Sequence, residues 1–236
     1  MYTFDAQSGQ VPAAESDSTI DHAKLIFGMK EFATQMQLYH AGIKEVKTKL
    51  EILDDEFSTR YEFNPIHHIE SRLKSPRSII EKLQRKNVPV TMEALRTELY
   101  DIAGVRVICN YIDDVYRVAD LLLAQHDIRL VSKRDYIKTP KENGYRSLHL
   151  VLEVPIFLAE GPVNVMVEVQ LRTIAMDFWA SLEHQLRYKT DVQVSEDLRR
   201  RLQICAEAIS EVDVEMQEIH QELRSPFPAA TSSGIA

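Results

Sequence analysis

The polar side chains with the most chemistry to offer sit on a strand. In VNVMVEVQLR, Val163 to Arg172, the residues Val163, Val165, Val167, Val169 and Leu171 fall on one face of an extended chain, and Asn164, Met166, Glu168, Gln170 and Arg172 on the other. The first face reads as a core wall. The second sets a carboxylate, an amide and a guanidinium at three alternate positions, more polarity than a half-buried strand needs, although an ordinary solvated face can look the same. Glu168 is a site candidate that still needs partners.

Three further clusters offer them. In SRLKSPRSIIEKLQRK, Ser71 to Lys86, Arg72 and Lys74 precede a helix capped by Ser75 and opened by Pro76, and Ser78, Lys82 and Arg85 share one of its faces. A helix N-terminus with cations on one face suits a polyphosphate, because dipole, free N–H groups and side-chain charge point the same way. A solvated basic face is the plainer alternative. No GxxxxGK[ST] loop occurs, so a phosphate seat must be built in this other manner. In YDIAGVRVI, Asp101 stands at a helix-to-strand junction and Arg106 follows in the strand. Such a carboxylate can hold Mg²⁺, which takes one or two carboxylates plus substrate phosphates, or it can simply end a helix. In KRDYIKTPKENGYRSLH, Lys133 to His149, five cations and two tyrosines surround the turn signal Asn143-Gly144. A solvated loop fits this composition equally, and Tyr145 beside Gly144 is the detail that tilts it toward ligand contact, with a base stacked on the ring and cations on phosphates.

Helices and strands must alternate to position these clusters. The spacing predicts a helix from Ser75-Pro76 to about Lys86, a second after Thr91, a strand near Val105 to Tyr111, a helix opened by Asp113 and a strand near Ile128 to Lys133. Strands at Ser147 to Val154 and Val163 to Arg172, joined through Gly161 and Pro162, suit an antiparallel pair, and a helix from about Thr173 to Arg187 follows. This is an α+β domain with a mixed sheet of about five strands. Long helices are expected on both sides, over about 21–56 and 195–224. Phe32, Met36, Tyr39, Ile43, Val46, Leu50 and Leu53 repeat at steps of four and three, as do Leu198, Leu202, Cys205, Ile209, Val212, Met216, Ile219 and Leu223. Each stripe must pack on the core, on the other stripe or on a second subunit.

At 236 residues, 44% apolar and 27% charged, the chain is long enough for one sizeable core. A single domain over residues 20–224 is expected, its catalytic core at about 61–189, with disordered tails at 1–19 and 225–236. No apolar run approaches a membrane span and no signal-peptide pattern opens the chain, so the expected location is the cytoplasm, with no membrane partner. Cys109 and Cys205 lack metal or redox spacing. A net charge of −8 argues against nucleic acid as main substrate while leaving room for a local basic cleft.

Four stretches, ESRLKSPRSIIEKLQRK, YDIAGVRVICNYIDDVY, RDYIKTPKENGYRSLHLVL and VEVQLRTIAMDFWASLEHQLRYK, together resemble the synthetase domain of the RelA/SpoT family, specifically the small alarmone synthetases. The resemblance spans about Tyr61 to Lys189. It implies a nucleotidyltransferase-like fold and a GTP pyrophosphokinase, which moves the β,γ-diphosphate of ATP to the ribose 3′-hydroxyl of GDP or GTP to make (p)ppGpp. Carried over by position, it implies ATP contacts at Arg72, Lys74, Ser78, Lys82 and Arg106, and Mg²⁺ at Asp101 with Glu168 as second catalytic carboxylate. It further implies guanine stacking on Tyr145, and acceptor contacts at Lys133, Lys141, Arg146, His149, Gln170 and Arg172. Glu168 would orient or deprotonate the acceptor hydroxyl, or complete the metal shell. Synthesis without alarmone hydrolysis is expected, since the chain has no room for the hydrolase domain of bifunctional members. A homotetramer is expected as well, with the heptad stripes as its physical route. The rival readings are the same chemistry on the 3′ end of tRNA or on an adenine nucleotide, and a non-catalytic helical scaffold or RNA-binding regulator.

Overall fold

The computed structural model describes residues 28–61, 63–189 and 195–224. The expected tails, 1–19 and 225–236, and the expected start of the first helix at 21 lie outside them. In chain order the elements are α1 (Met29–Arg60), β1 (Ile66–Leu73), α2 (Pro76–Arg85), α3 (Met92–Glu98), β2 (Ala103–Cys109), α4 (Ile112–Leu123), β3 (Arg129–Asp135), β4 (Leu148–Leu158), β5 (Gly161–Thr173), α5 (Ile174–Lys189) and α6 (Glu196–Arg224). Their described residues form two compact units, one of Lys74–Tyr100 with residues 28–37, the other of Leu38–Leu73 with the described residues from Asp101 onward.

In the smaller unit α2 begins and ends on its own local chemistry. Ser75 Oγ accepts from the Ser78 N–H at 3.3 Å, and Pro76 fills the first turn where no donor is needed. At the other end Asn87 adopts φ 55°, its N–H bonding Gln84 O and the Val88 N–H bonding Leu83 O. This paired closure needs a left-handed residue, a role that asparagine tolerates better than most. Ile79 and Leu83 are buried, as the apolar face of α2 requires. Thr91 caps α3 by accepting from Ala94 N–H, and Lys86 Nζ donates to Glu98 O and Oε2, tying the two helices.

The larger unit holds one five-stranded sheet in the order β1-β2-β5-β4-β3, mixed because β2 and β5 run parallel while every other neighbouring pair is antiparallel. The sequence pattern marks four of these strands. The fifth, β1, escapes it because IHHIESRL is an edge strand with only Ile66 buried, so no apolar alternation announces it. Val165, Val167, Val169 and Leu171 are buried on one face of β5, but Val163 is exposed near the hairpin tip and takes no part in the core wall. Gly42 of α1 lies against that wall: a Cβ there would stand 3.0 Å from methyls of both Val165 and Val167. Lys49, two turns on, donates to Asp127 Oδ2 at 2.7 Å ahead of β3, and that hydrogen bond holds the Asp127 carboxyl below its usual range.

The two apolar stripes have opposite outcomes. In α1 Phe32, Tyr39, Ile43, Val46 and Leu50 are buried, with Val46 and Leu50 at 0% exposure. In α6 the buried face is instead Ala206, Asp213 and Gln217, and Leu198, Val212, Met216, Ile219 and Leu223 are exposed. Two helix boundaries are shifted by one residue. Helix α4 starts at Ile112 rather than Asp113, whose carboxylate accepts from Gln217 and Gln221 of α6. Helix α5 starts at Ile174 because Thr173 ends β5 and its Oγ1 accepts from Met176 N–H at 3.1 Å.

The close approach at Gly42 sets an expected outcome. Gly42→Leu should lower the free energy of unfolding by about 1–3 kcal/mol through overpacking, despite the better helix propensity of leucine. Urea unfolding followed by circular dichroism checks it.

Candidate active site

Strand register assembles the site from residues far apart in sequence. Gly104 pairs with Glu168 and Arg106 with Gln170 across β2 and β5, while β4 sets His149 opposite Gln170, β1 sets Glu70 opposite Arg106, and β3 sets Arg134 opposite His149. Paired residues share a face, so Glu70, Arg106, Gln170, His149 and Arg134 form one polar row across all five strands. Arg72, Gly104 and Glu168 lie in the next row. Lys133 pairs with Leu150 and so belongs to the opposite face, away from Glu168; Arg134 holds the place in the row.

Around Glu168 the hydrogen bonds close into a ring. Glu168 Oε1 meets His149 Nδ1 at 3.1 Å, His149 Nε2 meets Tyr145 Oη at 2.8 Å, Arg172 Nη2 donates to Tyr145 Oη at 2.6 Å and to Gln170 Oε1 at 3.1 Å, and Gln170 Nε2 donates to Glu168 Oε2 at 2.8 Å. His149 thus bridges the Glu168 carboxylate and the Tyr145 hydroxyl through its two ring nitrogens. Burial pushes the Glu168 carboxyl up, but the His149 hydrogen bond and charge and the Gln170 amide outweigh it, so the carboxyl lies below its ordinary value. The charge of Asp101 opposes this, which places the two carboxylates within electrostatic reach of each other.

Arg172 is 4% exposed, and it also donates to Asp177 Oδ1 at 3.0 Å and Ser147 Oγ at 3.4 Å. Its guanidinium is therefore engaged within the protein, holding Tyr145 and Gln170 in place rather than facing an acceptor phosphate. Arg106 Nη1 lies 3.3 Å from Glu70 Oε2 and 3.4 Å from Asp177 Oδ1, and its buried Nε finds no acceptor among the described residues.

The loop carrying Tyr145 is fixed at both ends. Asp135 Oδ1 accepts from the N–H groups of Ile137 and Lys138 and from Tyr116 Oη, and the nearby Tyr116 phenol is pushed up to about 12, chiefly by burial. Gly144 adopts φ +86°, and a Cβ there would be 2.4 Å from Ala206 Cβ on α6, so only glycine fits. Asn143 Oδ1 accepts from Tyr145 N–H while its Nδ2 donates to Glu183. The Lys141 ammonium lies 4.6 Å from the ring centroids of both Tyr136 and Tyr145, and Arg146 Nη1 donates to Gly144 O at 3.4 Å.

Lys74, Ser78 and Lys82 belong to the smaller unit, where Ser78 Oγ is 3.0 Å from Ser75 Oγ at the start of α2. Among the described residues no cluster of three or more His, Cys, Asp or Glu side chains could hold a metal ion. The Asp101 and Glu168 pair nevertheless fits Mg²⁺, since two carboxylates that repel each other gain from a cation completed by substrate phosphates.

Residues 71–193 match the family model described as the region found in RelA / SpoT proteins. The chain belongs to the RelA/SpoT family. It is 42% identical over 195 residues to the GTP pyrophosphokinase YwaC of Bacillus subtilis, covering 83% of this chain and 93% of the relative. With the GTP pyrophosphokinase YjbM of the same organism the identity is 40% over 186 residues, covering 79% and 87%. The crystal structure of small alarmone synthetase 1 from B. subtilis bound to its product pppGpp has a TM-score of 0.74 at 40% identity, over 79% of this chain and 94% of that one. The mixed sheet with a long helix at each end is the architecture of that RelA/SpoT structure.

Sequence spacing does not reveal Asp177, Tyr136 or Arg134. Asp177 reaches Arg172 across a strand-to-helix turn at i+5, a separation outside helical pairing rules. Tyr136 shows its place only when the loop folds back on Tyr145. Arg172→Lys keeps the charge but loses the planar fork, and it is expected to cost about 2 kcal/mol or more of stability; the shift of the urea midpoint measures it.

Proposed function

We propose that this protein is a GTP pyrophosphokinase that transfers the β,γ-diphosphate of ATP to the ribose 3′-hydroxyl of GDP or GTP, making (p)ppGpp and AMP, without alarmone hydrolysis. The observation that carries this reading is the hydrogen-bonded ring that keeps Glu168 ionised beside Asp101 and joins it to the Tyr145 loop. The acceptor oxygen attacks the β-phosphorus, the bond from that phosphorus to the α,β-bridging oxygen breaks, and the bridging oxygen leaves on AMP. Such a transfer asks the protein mainly for alignment and charge neutralisation. Asp101 and Glu168 would hold Mg²⁺, which would draw negative charge from the triphosphate. Arg72, Lys74, Ser78, Lys82 and Arg106 receive ATP phosphates.

A carboxylate held below its ordinary range is a weak base but a permanent hydrogen-bond acceptor. Glu168 therefore aligns the 3′-hydroxyl and takes up its proton only as the phosphorus–oxygen bond forms. A guanine stacking on Tyr145 must displace a cation from the ring. Arg172 is fixed by its hydrogen bonds and Lys141 is exposed, so Lys141 moves and, with Arg146, His149 and Gln170, meets the acceptor. The exposed apolar residues Ile174, Phe178 and Leu182 of α5 and Val212, Met216 and Ile219 of α6 support self-association, for which we propose a homotetramer. Among the described residues no helix is long and apolar enough to cross a membrane; the proposed site of action is the cytoplasm.

With Mg²⁺ and γ-labelled ATP, label should pass to GDP and GTP and not to ATP or tRNA. Glu168→Gln, which keeps the shape, should cut that transfer by about 10³-fold or more. Label on tRNA or on an adenine nucleotide, or near-normal turnover by the variant, overturns the assignment. Light scattering at micromolar concentration should give about four times the chain mass, and a monomer would refute the assembly.

A further inference from the structure

Asp177 is bonded to two arginines that serve different substrates. On the reading proposed above, Arg106 meets ATP phosphates, whereas Arg172 holds the Tyr145 ring on which the acceptor base stacks. Asp177 Oδ1 lies 3.0 Å from Arg172 Nη1 and 3.4 Å from Arg106 Nη1. One oxygen therefore serves both guanidinium groups. Ser181 Oγ lies 3.5 Å from the other oxygen, Oδ2.

The two arginines are not equally bound. Arg172 is almost fully buried, with further hydrogen bonds to Tyr145, Gln170 and Ser147. Arg106 is about one-third exposed, with longer contacts to Glu70 and Asp177 and a buried Nε that finds no acceptor among the described residues. An under-satisfied, partly exposed guanidinium is the one that a phosphate can draw away. The Asp177 carboxylate is held by the shorter Arg172 contact and by Ser181, on a backbone pinned at the first turn of α5. Thr173 Oγ1 caps Met176 N–H and donates at 2.6 Å to Asp213 Oδ2 on α6.

We propose that Asp177 is a positioning residue that couples the two nucleotide sites. When ATP phosphates take Arg106, the shared Asp177 oxygen is left to Arg172 alone. That pair strengthens, Tyr145 is held more firmly, and the acceptor binds more tightly. The coupling is reciprocal, so the acceptor raises affinity for ATP by the same factor.

The test uses the full-length protein and calorimetric titration of GDP, with and without a saturating non-hydrolysable ATP analogue and Mg²⁺. In the wild type the analogue is expected to lower the GDP Kd by about tenfold, within the usual range of such couplings. In Asp177→Asn the analogue should change it by less than about twofold, and Asp177→Glu should restore part of the effect. GDP affinity measured without the analogue separates coupling from simple damage. Equal coupling in wild type and Asp177→Asn overturns the proposal, as does binding of both nucleotides by the wild type with no coupling. A variant that loses both affinities in parallel with its melting temperature shows a structural role only and also overturns it. Failure of the wild type to bind either nucleotide would instead strike at the pyrophosphokinase reading, which the labelling assay tests separately.

Discussion

The parallel pairing of β2 with β5 is the constraint on which the rest depends. It is the one parallel pair in the sheet, and its register sets Gly104 beside Glu168 and Arg106 beside Gln170. A slip of one residue would turn Glu168, Gln170 and Arg172 into the valine core and expose Val167 and Val169. The buried valines and the polar row are thus two consequences of one register. Burial on the core face is strong enough to enforce it, with Val167, Val169, Val105 and Val107 all essentially inaccessible.

Given that register, the site is stabilised chiefly by side-chain hydrogen bonds that share donors and acceptors. A buried guanidinium is costly unless its donors are satisfied, and Arg172 meets that requirement through Ser147, Asp177, Tyr145 and Gln170. The same bonds fix the tyrosine ring, the amide beside Glu168 and the first turn of α5. Because the ring closes through His149, a displacement at any member reaches Glu168 within a few bonds. This explains why the half-buried Glu168 carboxyl lies below its ordinary range: polar neighbours outweigh its burial.

Much of this was legible in the residues alone, and the limits have physical causes. Alternation revealed β4 and β5 because each has one apolar and one polar face, and capping chemistry at Ser75-Pro76 and Thr91 marked α2 and α3 to within a residue or two. Strand β1 was invisible since an edge strand carries no buried periodicity. The face of Lys133 could not be known without the β3 register, where an irregularity between Leu130 and Ser132 alters the simple alternation. Nor could periodicity tell which heptad stripe is covered. Gly42 in α1 permits close approach to the valine wall, whereas the docking face of α6 is marked by a small residue and polar groups, Ala206, Asp213 and Gln217.

That choice of face in α6 connects packing to chemistry. Ala206 sits where a larger side chain would strike Gly144, so α6 meets the loop through small surfaces, while Trp179 Nε1 of α5 donates to Leu202 O and joins the two helices by one directed bond. Asp213, whose carboxyl is raised mainly by burial, accepts from Thr173 at the point where β5 becomes α5. A buried carboxylate is an expensive way to join two elements when apolar packing would do. Its advantage is direction: the Thr173 hydroxyl accepts from Met176 N–H only while its proton points at Asp213, so the start of α5 is fixed in rotation as well as position. Asp177, one turn later, inherits that orientation. The C-terminal helix is therefore part of the device that aims Arg172 at Tyr145, although none of its own residues lies in the polar row of the sheet.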